Sequence, residues 1–178
     1  MSTKRILGID PGTLLAGFAV IETVKTSPIG PQDFRIIEAG VLRAQANFQV
    51  WQRIGLMHTS MHTLIEEFKP SVCVMENVYM AKNAQSALKL GQARGAFISA
   101  AARCQIAVRE IASTTVKRIV CGKGHADKQQ VNLALESLLG FQKGALPFDA
   151  SDAVAIALAF GLNCAWESKW PKDDFPFE

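Results

Sequence analysis

The chain has 178 residues, a formal net charge of +3 and four cysteines. Hydrophobic residues make up 49% and charged residues 20%, which suits one globular domain with its own core and excludes a disordered chain. Cys73, Cys104, Cys121 and Cys164 show no CxxC spacing, and no apolar run reaches the ~18 residues of a membrane span. Asp10 and Pro11 break any signal-like apolar stretch near the N-terminus. A secreted, membrane or disulfide-held protein is therefore not expected; a cytoplasmic one is.

Residues 5–10 read as a short strand closed by the turn dipeptide Pro11-Gly12. Residues 17–24 and 34–42 are further strands, separated by Pro28, Gly30 and Pro31 as a hairpin loop requires. The period then changes. Ile54, Met57, Met61, Leu64, Ile65 and Phe68 recur at helical spacing, which predicts an amphipathic helix over 49–68 ended by Pro70. Residues 71–76 (SVCVME) form a buried-strand pattern, 84–103 a helix rich in Ala and Leu, and 106–109 a last strand. Residues 113–120 and 128–139 read as helices around a loop at 121–126, and 149–163 as a final helix. Three early antiparallel strands followed by alternating helix and strand predict an α/β fold with a mixed five-stranded sheet flanked by helices. One domain over 1–165 is expected, followed by a loosely docked tail at 166–178.

The charge is unevenly distributed. Between Ala81 and Gln130 nine bases face only Glu110 and Asp127, a local excess of +7. Any single lysine there suits a solvated helix face, but the cluster suits a phosphate-binding surface. His125 lies within it, in the loop CGKGHADK, where a phosphate contact or proton transfer is a candidate role. His58 and His62 stand four apart on one predicted helix, without the Glu of HExxH and without an evident third ligand.

Four carboxylates fall where this architecture gathers side chains. Asp10 ends the first strand and Glu76 ends SVCVME; as parallel neighbours these strands bring both to one sheet edge, where open α/β sheets collect ligands. Asp149 and Asp152 are three apart at a helix start and share a side. Each has an ordinary alternative: Asp10 as a turn initiator, Asp149 and Asp152 as a helix cap with a first-turn acid, Glu76 as a solvated strand end. Those alternatives must hold independently, whereas one cation site explains all four. Close carboxylates repel, and an all-oxygen set favours Mg²⁺ or Mn²⁺ over zinc. Two such ions suit phosphodiester hydrolysis.

ILGIDPGTLLAGFAVI, MENVYMAKNAQSALKLGQARG and DASDAVAIALA together closely resemble the RuvC family of bacterial Holliday-junction resolvases, over residues 6 to about 164. The resemblance implies a ribonuclease-H-like fold and a homodimeric, metal-dependent endonuclease that nicks two strands of like polarity in a four-way DNA junction. It places the catalytic, metal-holding carboxylates at Asp10, Glu76, Asp149 and Asp152, with two Mg²⁺ ions per site and Mn²⁺ as a substitute. Lys117 and Lys128 fall on basic positions tied to catalysis and DNA handling. Tyr79 stands where the family often has Phe to probe bases, and keeps a ring face for stacking. Lys82, Asn83, Lys89, Arg94, Arg118, Lys123 and His125 complete the expected DNA-contacting set. The resemblance also implies a branch-migration helicase complex, RuvA and RuvB, as partner. Small residues Ala87, Gly91, Gly95 and Ala96 suggest that the helix over 84–103 contributes to the dimer. The final residues, KDDFPFE, are similar to the acidic-hydrophobic tips of bacterial single-strand DNA-binding proteins, with one extra Glu.

Three other functions compete with this one. An actin-like ATPase needs two lobes, for which 178 residues lack room. A non-catalytic junction-binding module predicts a broken acid set, yet all four acids are present. A related nuclease acting on structured RNA is nearer, and is disfavoured by the middle block and the terminal DxxD.

Overall fold

Ile6, Leu7 and Ile9 are fully buried, the mark of a strand covered on both faces. They belong to β1 (Lys4–Asp10), the middle strand of a five-stranded sheet. The structure is a computed structural model that describes residues 4–23, 30–77, 84–142 and 144–163. β2 (Leu15–Thr23) and β3 (Arg35–Arg43) run antiparallel on one side of β1. β4 (Val72–Asn77) and β5 (Val108–Ala112) lie parallel to it on the other, giving the order β3-β2-β1-β4-β5. This is the mixed sheet that the sequence predicts.

Helices cover both faces. α1 (Val50–Phe68) and α2 (Ala84–Arg103) enclose a core with Leu7, Ile9, Cys73 and Met75. α3 (Ser113–Cys121), α4 (Lys128–Leu139) and α5 (Phe148–Asn163) enclose the other with Ile6, Val72 and Val74. Residues 150–161 of α5 are all buried or nearly so, apart from the partly exposed Asp152. That explains why this helix is apolar all round rather than amphipathic. None of the described helices is long and apolar enough to cross a membrane.

The strand boundaries differ from expectation chiefly at β5. The sequence reading ends it at 109, whereas the strand runs to Ala112 and passes directly into α3. Arg109 and Glu110 are exposed on this edge strand, so its charges hide the β pattern. A short 3-10 turn, Pro31–Asp33, lies within the loop between β2 and β3. The tail expected at 166–178 lies outside the described residues.

At the edge of the sheet away from Asp10, Glu22 on β2 is 2% exposed. Arg5 donates to one of its oxygens at 2.8 Å and Arg35 to the other. Burial works to raise this carboxyl, and the two guanidinium hydrogen bonds outweigh it and hold it below the usual glutamate range. The pairs tie β1, β2 and β3 together at this end.

Candidate active site

Strand alternation decides which side chains reach the α5 face. Along β1, Leu7 and Ile9 point toward α1 and α2, so Ile6, Gly8 and Asp10 point toward α5. Along β4, Cys73 and Met75 take the first direction, and Val72, Val74 and Glu76 the second. Ile9 is in parallel register with Met75, so Asp10 and Glu76 occupy the next positions on one face. Both line a cleft of about 190 Å³ with Ser113, Val116 and Lys117 of α3, Lys128 of α4, and Asp152 of α5. Asp149 approaches from the first turn of α5. Carboxylate oxygens of Asp10, Asp149 and Asp152 all lie within 4.8 Å of one another. Glu76 lines the cleft without joining that tight set.

Two glycines let α5 come this close. A Cβ on Gly8 would stand 2.3 Å from the Ala153 carbonyl oxygen, and one on Gly17 would stand 1.9 Å from the Asp149 carbonyl oxygen. Gly17 pairs with Asp10 across β1 and β2, so the same contact that seats the helix end sets Asp149 beside Asp10. Gly17→Ala is expected to push the helix outward at a cost of about 1–3 kcal/mol. The check is urea unfolding, where the midpoint should fall with the slope unchanged.

The electrostatics follow from this crowding. Burial pushes the Asp10 carboxyl up to about 7 from its ordinary 3.8, helped by repulsion from Asp152, Glu76 and Asp149 and opposed by Lys128. Lys128 donates from Nζ to Asp152 Oδ2 at 2.7 Å, and this bond raises the lysine above its ordinary value despite burial. Lys128 is the first residue of α4, behind the Asp127–Gln130 capping box, in which Gln130 N donates to Asp127 Oδ1 at 2.8 Å. A helix start disfavours a cation; the Asp152 bond compensates. Three converging carboxylates, one kept from ionising normally by burial and by its neighbours, fit a hard divalent cation held by oxygen ligands.

The other residues singled out from the sequence are placed variously. Lys117 joins the cleft. Lys89, Arg118, Lys123 and His125 are exposed and do not line it. Tyr79, Lys82 and Asn83 lie outside the described residues. Arg94, expected among the DNA contacts, is turned toward the sheet. Its side chain is 13% exposed and its guanidinium is already engaged, donating to the Glu76 carbonyl oxygen and pairing with Glu110. Those bonds fasten α2 to the ends of β4 and β5, next to the carboxylate-bearing residue. A basic residue within a basic stretch gives no sign that it faces inward. Ser113 was not singled out either; it reaches the cleft because α3 begins where β5 ends.

The family model described as "Crossover junction endodeoxyribonuclease RuvC" matches residues 6–160. The chain belongs to the RuvC family. A RuvC-family protein of Chlorobium phaeovibrioides, a crossover junction endodeoxyribonuclease, is 36% identical over 95% of this chain and 87% of its own length. One from Geobacter sulfurreducens is 36% identical over 92% of this chain and 96% of its own. Among solved structures, Thermus thermophilus RuvC in complex with a Holliday junction substrate superposes with a TM-score of 0.80 at 27% identity, covering 89% of this chain and 93% of that one. The yeast mitochondrial Holliday junction resolvase Ydc2 shares the fold, with a TM-score of 0.63 at 18% identity. The RuvC family match takes in β2 to β5, β1 from Ile6 onward and both α5 carboxylates.

Proposed function

We propose that this chain resolves four-way DNA junctions by metal-dependent nicking of two strands of like polarity. The convergence of Asp10, Asp149 and Asp152 in a lysine-bordered cleft, in a chain of the RuvC family, carries this reading. Asp10, Glu76, Asp149 and Asp152 would hold two Mg²⁺ ions, with Mn²⁺ as a substitute. When bound, such a pair lowers the pKa of the attacking water and stabilises the leaving oxygen.

The chain's own residues do the rest. Lys117 and Lys128 border the cleft and offset charge gathering on the scissile phosphate. Lys128 partly neutralises Asp152 through its 2.7 Å contact and would be available to a phosphate where a cation held that carboxylate. Val116, Val131, Ala155 and Ile156 form an apolar wall of the cleft, which limits bulk water and strengthens the charge interactions inside. Exposed Lys89, Arg118, Lys123 and His125 would hold the DNA backbone, with Tyr79, Lys82 and Asn83 contributing beyond the described residues. Such contacts release counterions, so binding should weaken steeply with salt.

The substrate's near two-fold symmetry fits a homodimer with two equivalent sites. Gly91 and Gly95 of α2 face open space, and Leu88 and Ile98 of the same helix are 69% and 38% exposed. That apolar, closely approachable face supports α2 as part of the dimer contact. RuvA and RuvB are the proposed branch-migration partners and the cytoplasm the proposed compartment, in keeping with the free Cys73, Cys104 and Cys121.

The test is a cleavage assay with synthetic four-way junctions, linear duplex and structured RNA, each with Mg²⁺ or with EDTA. Paired nicks in the junction alone, lost in EDTA, are expected. Absence of metal-dependent junction cutting, or preference for the RNA, would overturn the reading.

A further inference from the structure

Away from the cleft, His62 and Glu66 of α1 meet Cys104, the residue after α2. One ligand atom from each (an imidazole nitrogen, a carboxylate oxygen and Sγ) lies within 4.8 Å of the other two. His62 and Glu66 are one helical turn apart, so both project from the same face. His58, one turn earlier, does not join them. The third ligand comes from a residue more than thirty positions away, brought in because α1 and α2 pack together on the sheet.

We propose that His62, Glu66 and Cys104 form a second metal site, selective for zinc over magnesium, that joins the C-terminal ends of α1 and α2.

Four features support it. The donors are imidazole, thiolate and carboxylate, a borderline-soft set that suits Zn²⁺ and is poorly matched to Mg²⁺. With bonds of about 2.0–2.3 Å, tetrahedral ligand atoms stand about 3.3–3.8 Å apart, so modest side-chain rotations close the triangle and leave a fourth position for water. Both helices end here, and their C-terminal carbonyls favour a cation. The backbone at both ends is also tightly specified. Lys69 and Gln105, with φ of 47° and 57°, are the non-glycine residues with positive φ among the described residues, and each follows one of these helices. The Cys104 and Ile106 amides both donate to carbonyls of the last turn of α2, which fixes the cysteine's place.

One group competes. Lys69 Nζ sits 2.6 Å from Glu66 Oε2, but the lysine side chain is 65% exposed and the pair is bound only weakly. Zinc would displace the ammonium to water, and the Cys104 thiol would release its proton to solvent as the Zn–S bond forms. An imidazole nitrogen and a carboxylate oxygen complete the protein's donors.

The experiment titrates Co²⁺ into the full chain, kept reduced with a non-thiol reductant and with Mg²⁺ in large excess to occupy the carboxylate cleft. The wild type should bind one equivalent with a thiolate-to-cobalt charge-transfer band and the visible bands of a tetrahedral ion, both erased by Zn²⁺. Cys104→Ser should lose the charge-transfer band. His62→Ala should weaken binding by at least about tenfold, and Cys121→Ser, at a half-buried cysteine elsewhere, should behave as wild type. Circular dichroism of each variant verifies folding. No charge-transfer band in the wild type would overturn the proposal. So would a band that survives Cys104→Ser, or His62→Ala binding with unchanged affinity. None of these outcomes depends on nuclease activity.

Discussion

Asp10→Asn is expected to abolish metal-dependent junction nicking, by at least about a thousandfold, while leaving junction binding within a few-fold of the parent. The substitution preserves size and removes one negative charge from the centre of the carboxylate set, where Asp152, Glu76 and Asp149 all act on Asp10. A neutral amide is a weaker ligand for a hard cation and leaves the remaining acids poorly matched to it. In the proposed function binding rests instead on exposed cations such as Lys89, Arg118 and Lys123, which the change does not touch. The alternative role for Asp10, starting the Pro11-Gly12 turn, is one that asparagine fills equally well. Single-turnover cleavage in Mg²⁺ and a mobility shift in EDTA distinguish the two. Retained cutting would mean that Asp10 is a turn residue and that the metal reading fails.

The gathering of Asp10 and Glu76 was legible in the sequence because strand periodicity and chain order suffice for it. Each carboxylate ends an apolar run, and parallel pairing of the two runs brings them to one edge. The α5 pair was legible for a similar reason, through a three-residue spacing on a helix. What the sequence did not disclose depends on packing. The glycines at 8 and 17 read as ordinary strand residues, and only the approach of α5 shows why a side chain is excluded there. Arg94 looked like another base in a basic stretch, but long-range contacts turn it inward to Glu76 and Glu110. β5 was truncated because Arg109 and Glu110 mask an edge strand. The four-residue spacing of His58 and His62 offered no third ligand; the side chains that gather around His62 are Glu66, one turn on, and Cys104, distant in sequence.

The second large effect concerns the cost of assembling those carboxylates. With Asp10 raised to about 7 from 3.8, the folded chain resists losing a proton that the unfolded chain gives up easily. Stability is therefore undiminished below the ordinary carboxylate range, falls as pH rises from about 4 to about 7, and is level above that, with a total loss of at most about 4 kcal/mol. Asp10→Asn removes this dependence. An asparagine amide in the same place has its own desolvation cost, so the metal-free variant should be more stable than the wild type by about 1–3 kcal/mol at pH 8 and near parity at pH 4. For a chain of this length that is roughly 3–9 °C in Tm. Mg²⁺ should stabilise the wild type through its preference for the folded site and narrow the gap at pH 8, with less effect on the variant. Thermal unfolding at both pH values, in EDTA and in Mg²⁺, reads all four terms. A variant less stable than the wild type at pH 8 in EDTA would show that Asp10 ionises there without penalty, and that the surrounding acids do not strain the metal-free site. A higher Tm together with lost nicking would instead mark Asp10 as a residue kept for chemistry at the expense of stability.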